Sequence, residues 1–270
     1  MKVRNNYDFE ERAIFLAAIC GQTYAQFINT DGSFVVPLNY SVCHTILAKS
    51  ISNIRERFGF MIESPKEIII AFRGSSSTTN WISNISASQK RFKYIKEDCL
   101  THRGFTDIYS SARNEIISTL SRLSPDKTIY ITGHSLGGAL ATLCAVDIAA
   151  NTSYNSPNLF TYGSPRVGNP AFTKAFSQYV QNSYRITNPF DVVTHAPPTI
   201  YKLPKRDKRY YYRHIQTQSS QSFQNGAVGL NHIISSYFAD LSQLKPKFTQ
   251  LLCVANPGFC PVIEVKPQRI

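Results

Sequence analysis

An α/β architecture, with a mostly parallel central sheet and helices on both faces, is predicted by three observations. Strand-like and helix-like stretches alternate along most of the chain, the order in which helical crossovers join parallel strands. A β-branched and aromatic run, Thr128–Thr132, passes into an Ala- and Leu-rich run, Gly137–Ala150, through Gly133-His134-Ser135-Leu136-Gly137-Gly138. Finally, 270 residues with 43% hydrophobic content supply one sizeable core, while no stretch reaches the roughly 18 uncharged apolar residues of a membrane span. A single domain over residues 1–270 is therefore expected.

Each element has its own signal. Asp8 to Phe27 reads as a first, amphipathic helix. Its apolar run Ala13–Cys20, with Lys2 and Arg4 upstream, has a trace of a secretion signal, but Asp8, Glu10 and Glu11 intervene and no small-residue cleavage pattern follows. Location, secreted or cytoplasmic, stays open. Ile54–Ile62 and Glu67–Phe72 read as paired strands joined by Ser64-Pro65-Lys66. The segment Ser75–Ser88 is polar but carries Trp81, Ile82 and Ile85. Ile108, Ala112, Ile116 and Leu120, four apart, stripe a helix over Asp107–Leu123, and Pro125-Asp126 ends it. Leu159–Gly163 and Tyr184–Thr187 read as further strands. Between them Asn169-Pro170 is a helix start, a cap followed by proline in the first turn. Past Lys245 the prolines predict irregular chain.

Chemistry concentrates at Ser135. A serine at a strand-to-helix switch, flanked as G-x-S-x-G, fits a nucleophile elbow. The tight turn lifts the hydroxyl clear of the backbone, and Gly133 and Gly137 lack the Cβ atoms that would clash there. The helix start sets backbone N–H groups and a positive dipole end beside any oxyanion. The competing reading is a glycine turn that only packs helix on sheet.

A serine hydroxyl needs a base, and the base needs an orienting group. On an elbow of this kind the acid and then the histidine follow in chain order. Asp147 lies three turns along the elbow helix, Asp207 sits in a basic loop, and Asp240 and Glu264 lie beyond every histidine. Asp191 follows a strand, where open α/β sheets place their sites, and is preferred. Among the bases, His214 falls in a strand-like run. His232 opens a helix after the flexible Asn225–Gly229 and is preferred over His195, which sits beside Pro197-Pro198. His134, inside the elbow, is read as pointing away from the reacting centre and locking the turn by packing or hydrogen bonding.

The formal charge is +12, from 29 Lys and Arg against 17 Asp and Glu. Lys202–Arg213 holds six cations (Lys202, Lys205, Arg206, Lys208, Arg209, Arg213), one anion (Asp207) and tyrosines. The readings are a solvated loop with a guarded edge strand or peripheral contact with anionic lipid; without a nucleic-acid motif, nucleic acid is not expected. Six cysteines without zinc spacing exclude a disulfide scaffold and a zinc site. Cys144 is read as a small buried apolar residue. Cys253 and Cys260 bracket a Pro257-Gly258 turn that would let them bridge in an oxidising compartment. No metal, and no other cofactor, is implied.

Over roughly Ala13 to Asp240 the chain resembles the class 3 lipases, the family of the filamentous-fungal triacylglycerol lipases. The resemblance rests on Ala71-Phe72-Arg73-Gly74-Ser75, Asn80-Trp81-Ile82, His102-Arg103-Gly104-Phe105, the Gly133 elbow, Thr161–Asn169, Asp191 and His232. It implies an α/β-hydrolase fold and hydrolysis of carboxylic esters of acylglycerols, with a lipid ester at an oil–water or membrane interface as partner. It implies catalytic Ser135, Asp191 and His232, an oxyanion hole of Ser75 and the Leu136 N–H, and a lid over 76–88 bearing Trp81, Ile82 and Ile85. A phospholipase A1 or a soluble-ester carboxylesterase would use the same triad. A non-catalytic binding module would be marked by a missing member of the set, and none is missing.

Overall fold

In the computed structural model, which describes residues 7–50, 52–75, 87–202, 208–215 and 218–262, an N-terminal meander leads into a parallel sheet. The strands are β1 (Ser41–Lys49), β2 (Arg55–Glu63), β3 (Glu67–Phe72), β4 (Gln89–Arg91), β5 (Leu100–His102), β6 (Thr128–His134), β7 (Asn158–Tyr162), β8 (Asn182–Thr187), β9 (Ile200–Lys202), β10 (Arg209–Tyr211) and β11 (Gln218–Ser220). The main sheet runs β1-β2-β3-β6-β7-β8-β11. The first two pairings are antiparallel and the remaining four parallel. β4–β5 and β9–β10 form separate antiparallel ribbons. Strand β1 has no counterpart in the sequence reading.

Helices cover both faces. α1 (Phe9–Ile28) lies on one; α2 (Arg103–Leu120), α3 (Leu136–Asn151) and α4 (Pro170–Tyr179) lie on the other. α5 (Ile234–Ser242) and α6 (Pro246–Ala255) join α1. Asp8 starts α1 with a capping box, accepting the Glu11 N–H at 2.9 Å while Glu11 accepts the Asp8 N–H. Asn169 caps α4 by accepting the Phe172 N–H, and Pro170 occupies the first turn.

Two expectations are corrected. α1 is not amphipathic over Ala13–Cys20, where every residue is buried; the sheet encloses it on one side and α5 and α6 on the other. The chain past Lys245 is not irregular. Pro246 sits in the first turn of α6, where no N–H is needed, and Pro257-Gly258 lies beyond its end, so the prolines delimit the helix. Cys253 and Cys260 are disulfide-bonded across that end. Residues 76–86, and with them Trp81, Ile82 and Ile85 and most of the expected lid, lie outside the described residues, as do Asp207 and Glu264.

Parallel pairing of β3, β6, β7 and β8 brings their C-terminal ends to one edge of the sheet. Gly74, Ser135, Gly163 and Asn188–Asp191 all leave the sheet there, as the general rule for such sheets expects.

Candidate active site

Ser135 holds φ 59° and ψ −128°, a strained conformation for a residue with a side chain. It follows β6 immediately and precedes the first residue of α3. A Cβ on Gly133 would strike the Gly137 carbonyl, and one on Gly137 would strike the Phe72 carbonyl. Both glycines are therefore dictated by how closely α3 lies on the strands. Ser135 donates its N–H to the Tyr162 carbonyl at 2.9 Å. Although Ser135 is the N-cap of α3, its side chain makes no capping bond, so the hydroxyl is left for other use. Leu136 opens α3, where an N–H has no intrahelical acceptor and the dipole is positive.

Asp191 and His232, 41 residues apart, meet in the interior. Asp191 caps the 3₁₀ turn Val192–His195, its Oδ1 accepting the Val193 N–H at 2.9 Å. Its Oδ2 accepts from His232 Nδ1 at 2.8 Å and from the Tyr237 hydroxyl at 2.7 Å. The carboxylate is an acceptor only, so the His232 proton lies on Nδ1 and Nε2 carries a lone pair. That Nε2 is buried and has no partner among the described residues. Burial first, and then Asp191, raises the Tyr237 phenol well above its ordinary range, so it stays a donor. Gly163, at φ +55°, makes room for the pair: a Cβ there would come within 2.6 Å of Asp191 Oδ2 and 3.2 Å of His232 Nδ1.

His134 ties the two halves together. Burial, and then His232, lower its pKa well below the usual value, so the ring is neutral. Its Nε2 donates to the His232 carbonyl at 2.6 Å, and Nδ1 accepts from the Tyr24 hydroxyl at 2.7 Å. The His134 and His232 rings lie 4.6 Å apart. The expected turn-locking role is thus a hydrogen-bonded one, beside His232 and not remote from it.

The other candidates separate clearly. Ser75 is half-buried just past β3, and a Cβ on Gly74 would lie 3.0 Å from Ser135 Cβ, so this segment passes against the elbow. His195 is exposed, and among the described residues its ring meets only the Pro189 carbonyl, at 3.4 Å. His214 donates to the Thr194 carbonyl at 2.7 Å and, through burial and then Arg185, is lowered to about 3. Asp147 is buried against Arg113 and Tyr109. Among the described residues no group of His, Cys, Asp or Glu is placed to hold a metal ion. Tyr237 and Tyr24 entered no list of sequence candidates, and Gly163 appeared only within the Thr161–Asn169 stretch, without a role of its own. Tyr237 looked like part of an apolar helix face, and only the fold reveals where its hydroxyl ends.

A buried carboxylate–imidazole couple with a lone pair facing inward can take a proton from a nearby hydroxyl. Comparison with known proteins points the same way. The family model described as "Lipase (class 3)" matches residues 69–201. A lipase of Rhizomucor miehei is 38% identical over 159 residues, 55% of this chain and 42% of that protein. A secreted mono- and diacylglycerol lipase of Fusarium solani is 34% identical over 150 residues, 54% and 44%. The match thus spans less than half the length of these curated relatives. A solved triacylglycerol lipase, described as having a serine-protease triad at its catalytic centre, superposes with TM-score 0.60 at 28% identity, over 69% of this chain and 74% of that one.

Proposed function

Because the chain belongs to the class 3 lipase family, we propose that it is a serine ester hydrolase that cleaves acylglycerol esters at a lipid–water interface. The observation that carries this reading is His232, with Nδ1 on Asp191, Nε2 buried and unpaired among the described residues, and its ring 4.6 Å from that of His134, the residue that precedes a strained serine whose side chain makes no capping bond.

In the proposed reaction Ser135 Oγ attacks the ester carbonyl carbon as His232 Nε2 takes the hydroxyl proton. The oxyanion is held by the Leu136 N–H and by Ser75, at about 3–4 kcal/mol for each donor. Collapse of the tetrahedral intermediate breaks the bond to the alcohol, which leaves with the proton from His232. Water then attacks the acyl-enzyme, giving its proton to His232, and the fatty acid departs as Ser135 recovers its hydrogen. Asp191 keeps the proton on Nδ1 and offsets the positive imidazolium in both halves. Cations around Lys202–Arg213 add attraction to anionic lipid surfaces, and vesicle binding that ignores salt would remove that part of the reading.

The test is the rate on tributyrin as its concentration crosses the solubility limit, with Ser135→Ala alongside. The expected outcome is a rise at the interface, as a lid over 76–88 requires, and a loss of about 10⁴-fold or more in the variant. Wild-type rates in Ser135→Ala would overturn the proposal. Saturation below the limit, lost in the variant, would make the enzyme an esterase of soluble substrates.

A further inference from the structure

Arg185, on β8, is a guanidinium buried to 6% exposure, and it forms no salt bridge among the described residues. The other deeply buried arginines are paired: Arg12 with Glu67 at 2.6 Å, and Arg73 with Glu56 at 3.3 Å. Among the described residues Arg185 donates only to the Ile215 carbonyl, through Nη1 at 3.5 Å, and its Nε has no partner. Asp191, six residues on, has both oxygens engaged by His232, Tyr237 and the Val193 N–H. Burial, and after it the charge of Arg166, hold Arg185 down to about 10. A buried cation left so is costly unless an anion accompanies it.

Two more groups share the same need. Strand pairing sets Thr161 of β7 opposite Arg185, and Thr187 lies two residues farther along β8. Side chains alternate along a strand, and Phe160, Tyr162 and Ile186 pack on the α1 face. Thr161, Arg185 and Thr187 therefore share the opposite face, where Val193 and Ile215 lie. The hydroxyls of both threonines are buried and have no partner among the described residues. Three buried groups able to donate, one of them charged, thus adjoin one another on two neighbouring strands.

We propose that Arg185, Thr161 and Thr187 form a buried site for one small monovalent inorganic anion of the chloride class. Strands about 4.8 Å apart and same-face residues about 7 Å apart set these three side chains close together, and the single positive charge among them suits a monovalent ion, not a multiply charged oxyanion. The ion neutralises Arg185 and ties β8, the strand leading into Asp191, to the segment at Ile215. It takes no part in the proposed hydrolysis and stands or falls apart from it.

Thermal unfolding of the full chain, titrated with sodium chloride against sodium gluconate at constant ionic strength, tests the site. A saturable rise of several degrees in chloride, reproduced by bromide, is expected from an anion that binds the folded state only. Thr187→Val should raise the half-saturating concentration about tenfold, the equivalent of one lost hydrogen bond. Arg185→Met should abolish the difference between the salts. Crystals soaked in bromide should show anomalous density among the three side chains. Identical unfolding of the unaltered protein in both salts overturns the proposal, even if Arg185→Met does not fold. So does a chloride effect that Thr187→Val leaves unchanged, or bromide soaks without density there.

Discussion

Two aspartates, Asp191 and Asp147, are both fully buried, and the fold treats them alike up to one decisive difference. Each accepts a hydrogen bond from a tyrosine, Tyr237 at 2.7 Å and Tyr109 at 2.6 Å. Asp147 also receives Arg113 through Nε at 2.6 Å and Nη2 at 2.9 Å, and the side chain of Asn151 at 2.7 Å. There a guanidinium, always charged, faces the carboxylate, and both carboxylate oxygens are engaged. At Asp191 the facing group is an imidazole whose far nitrogen has no partner among the described residues. Replacing a fixed charge by a titratable ring turns a structural brace into a device that can accept a proton. Burial of an acid marks neither role; its counter-group does.

The strongest way to break this comparison is to neutralise each acid's function separately. Asp191→Asn should lower kcat by about 10⁴-fold, since the amide lets His232 take the wrong tautomer, while unfolding changes little. Arg113→Met should do the reverse, destabilising the protein by about 3–5 kcal/mol because Asp147 is left buried and uncompensated. Its kcat per folded molecule should match the unaltered protein. Activity assays beside denaturant titrations read both. Loss of kcat in Arg113→Met, or none in Asp191→Asn, would erase the distinction.

Acid should part the two regions more gently. Two strongly lowered histidines, His134 and His214, sit on the Asp191 side, at the His232 carbonyl and the Thr194 carbonyl, against one on the Asp147 side, His102 at the start of α2, which burial lowers to about 4. Burial lowers the first two as well, His214 to about 3. The unfolded chain therefore takes up these protons first. Stability is complete above about pH 6.5 and falls as pH drops below it, by about 1.4 kcal/mol per histidine per pH unit, until the folded pKa is reached. Hydrogen exchange at pH 7 and pH 5 should show amides around Asp191–Ala196 losing protection before those of α3 around Asp147. Uniform loss would mean that the neutral histidines are not concentrated in their effect.

How far the sequence discloses these regions follows from the range of each interaction. The Gly133–Gly138 elbow, the Asn169-Pro170 helix start, the 67–72 strand and the 128–132 strand, which the structure extends to His134, rest on local sterics and alternation, and were legible. Asp191 and His232 were legible through position and chain order. Strand β1 was not, because its residues are mostly exposed or half-buried and carry no clear alternation. α6 was missed because prolines were read as breakers where they act as boundaries. Tyr237 and Tyr24 act through contacts that span up to 110 residues, and no local pattern announces them; Gly163 lay in the recognised Thr161–Asn169 stretch, but the room it makes for Asp191 and His232 is visible only in the fold.

The smallest effect is also the sharpest, because the two networks permit one chemical deletion in each. Tyr237→Phe removes a donor from Asp191 and leaves the Asn188 N–H, which now points at the phenol oxygen at 3.1 Å, without an acceptor. Tyr109→Phe removes a donor from Asp147. Both should lose about 1–3 kcal/mol of stability, the range for a hydrogen bond to a charged group. Only Tyr237→Phe should also lower kcat, by about tenfold with KM unchanged, because an acid held by fewer contacts orients His232 less sharply. Tyr237 is then a positioning residue that never touches substrate. Equal stability losses with kcat intact in both would make its bond as structural as that of Tyr109, and would leave Val193 and His232 as the groups that aim Asp191.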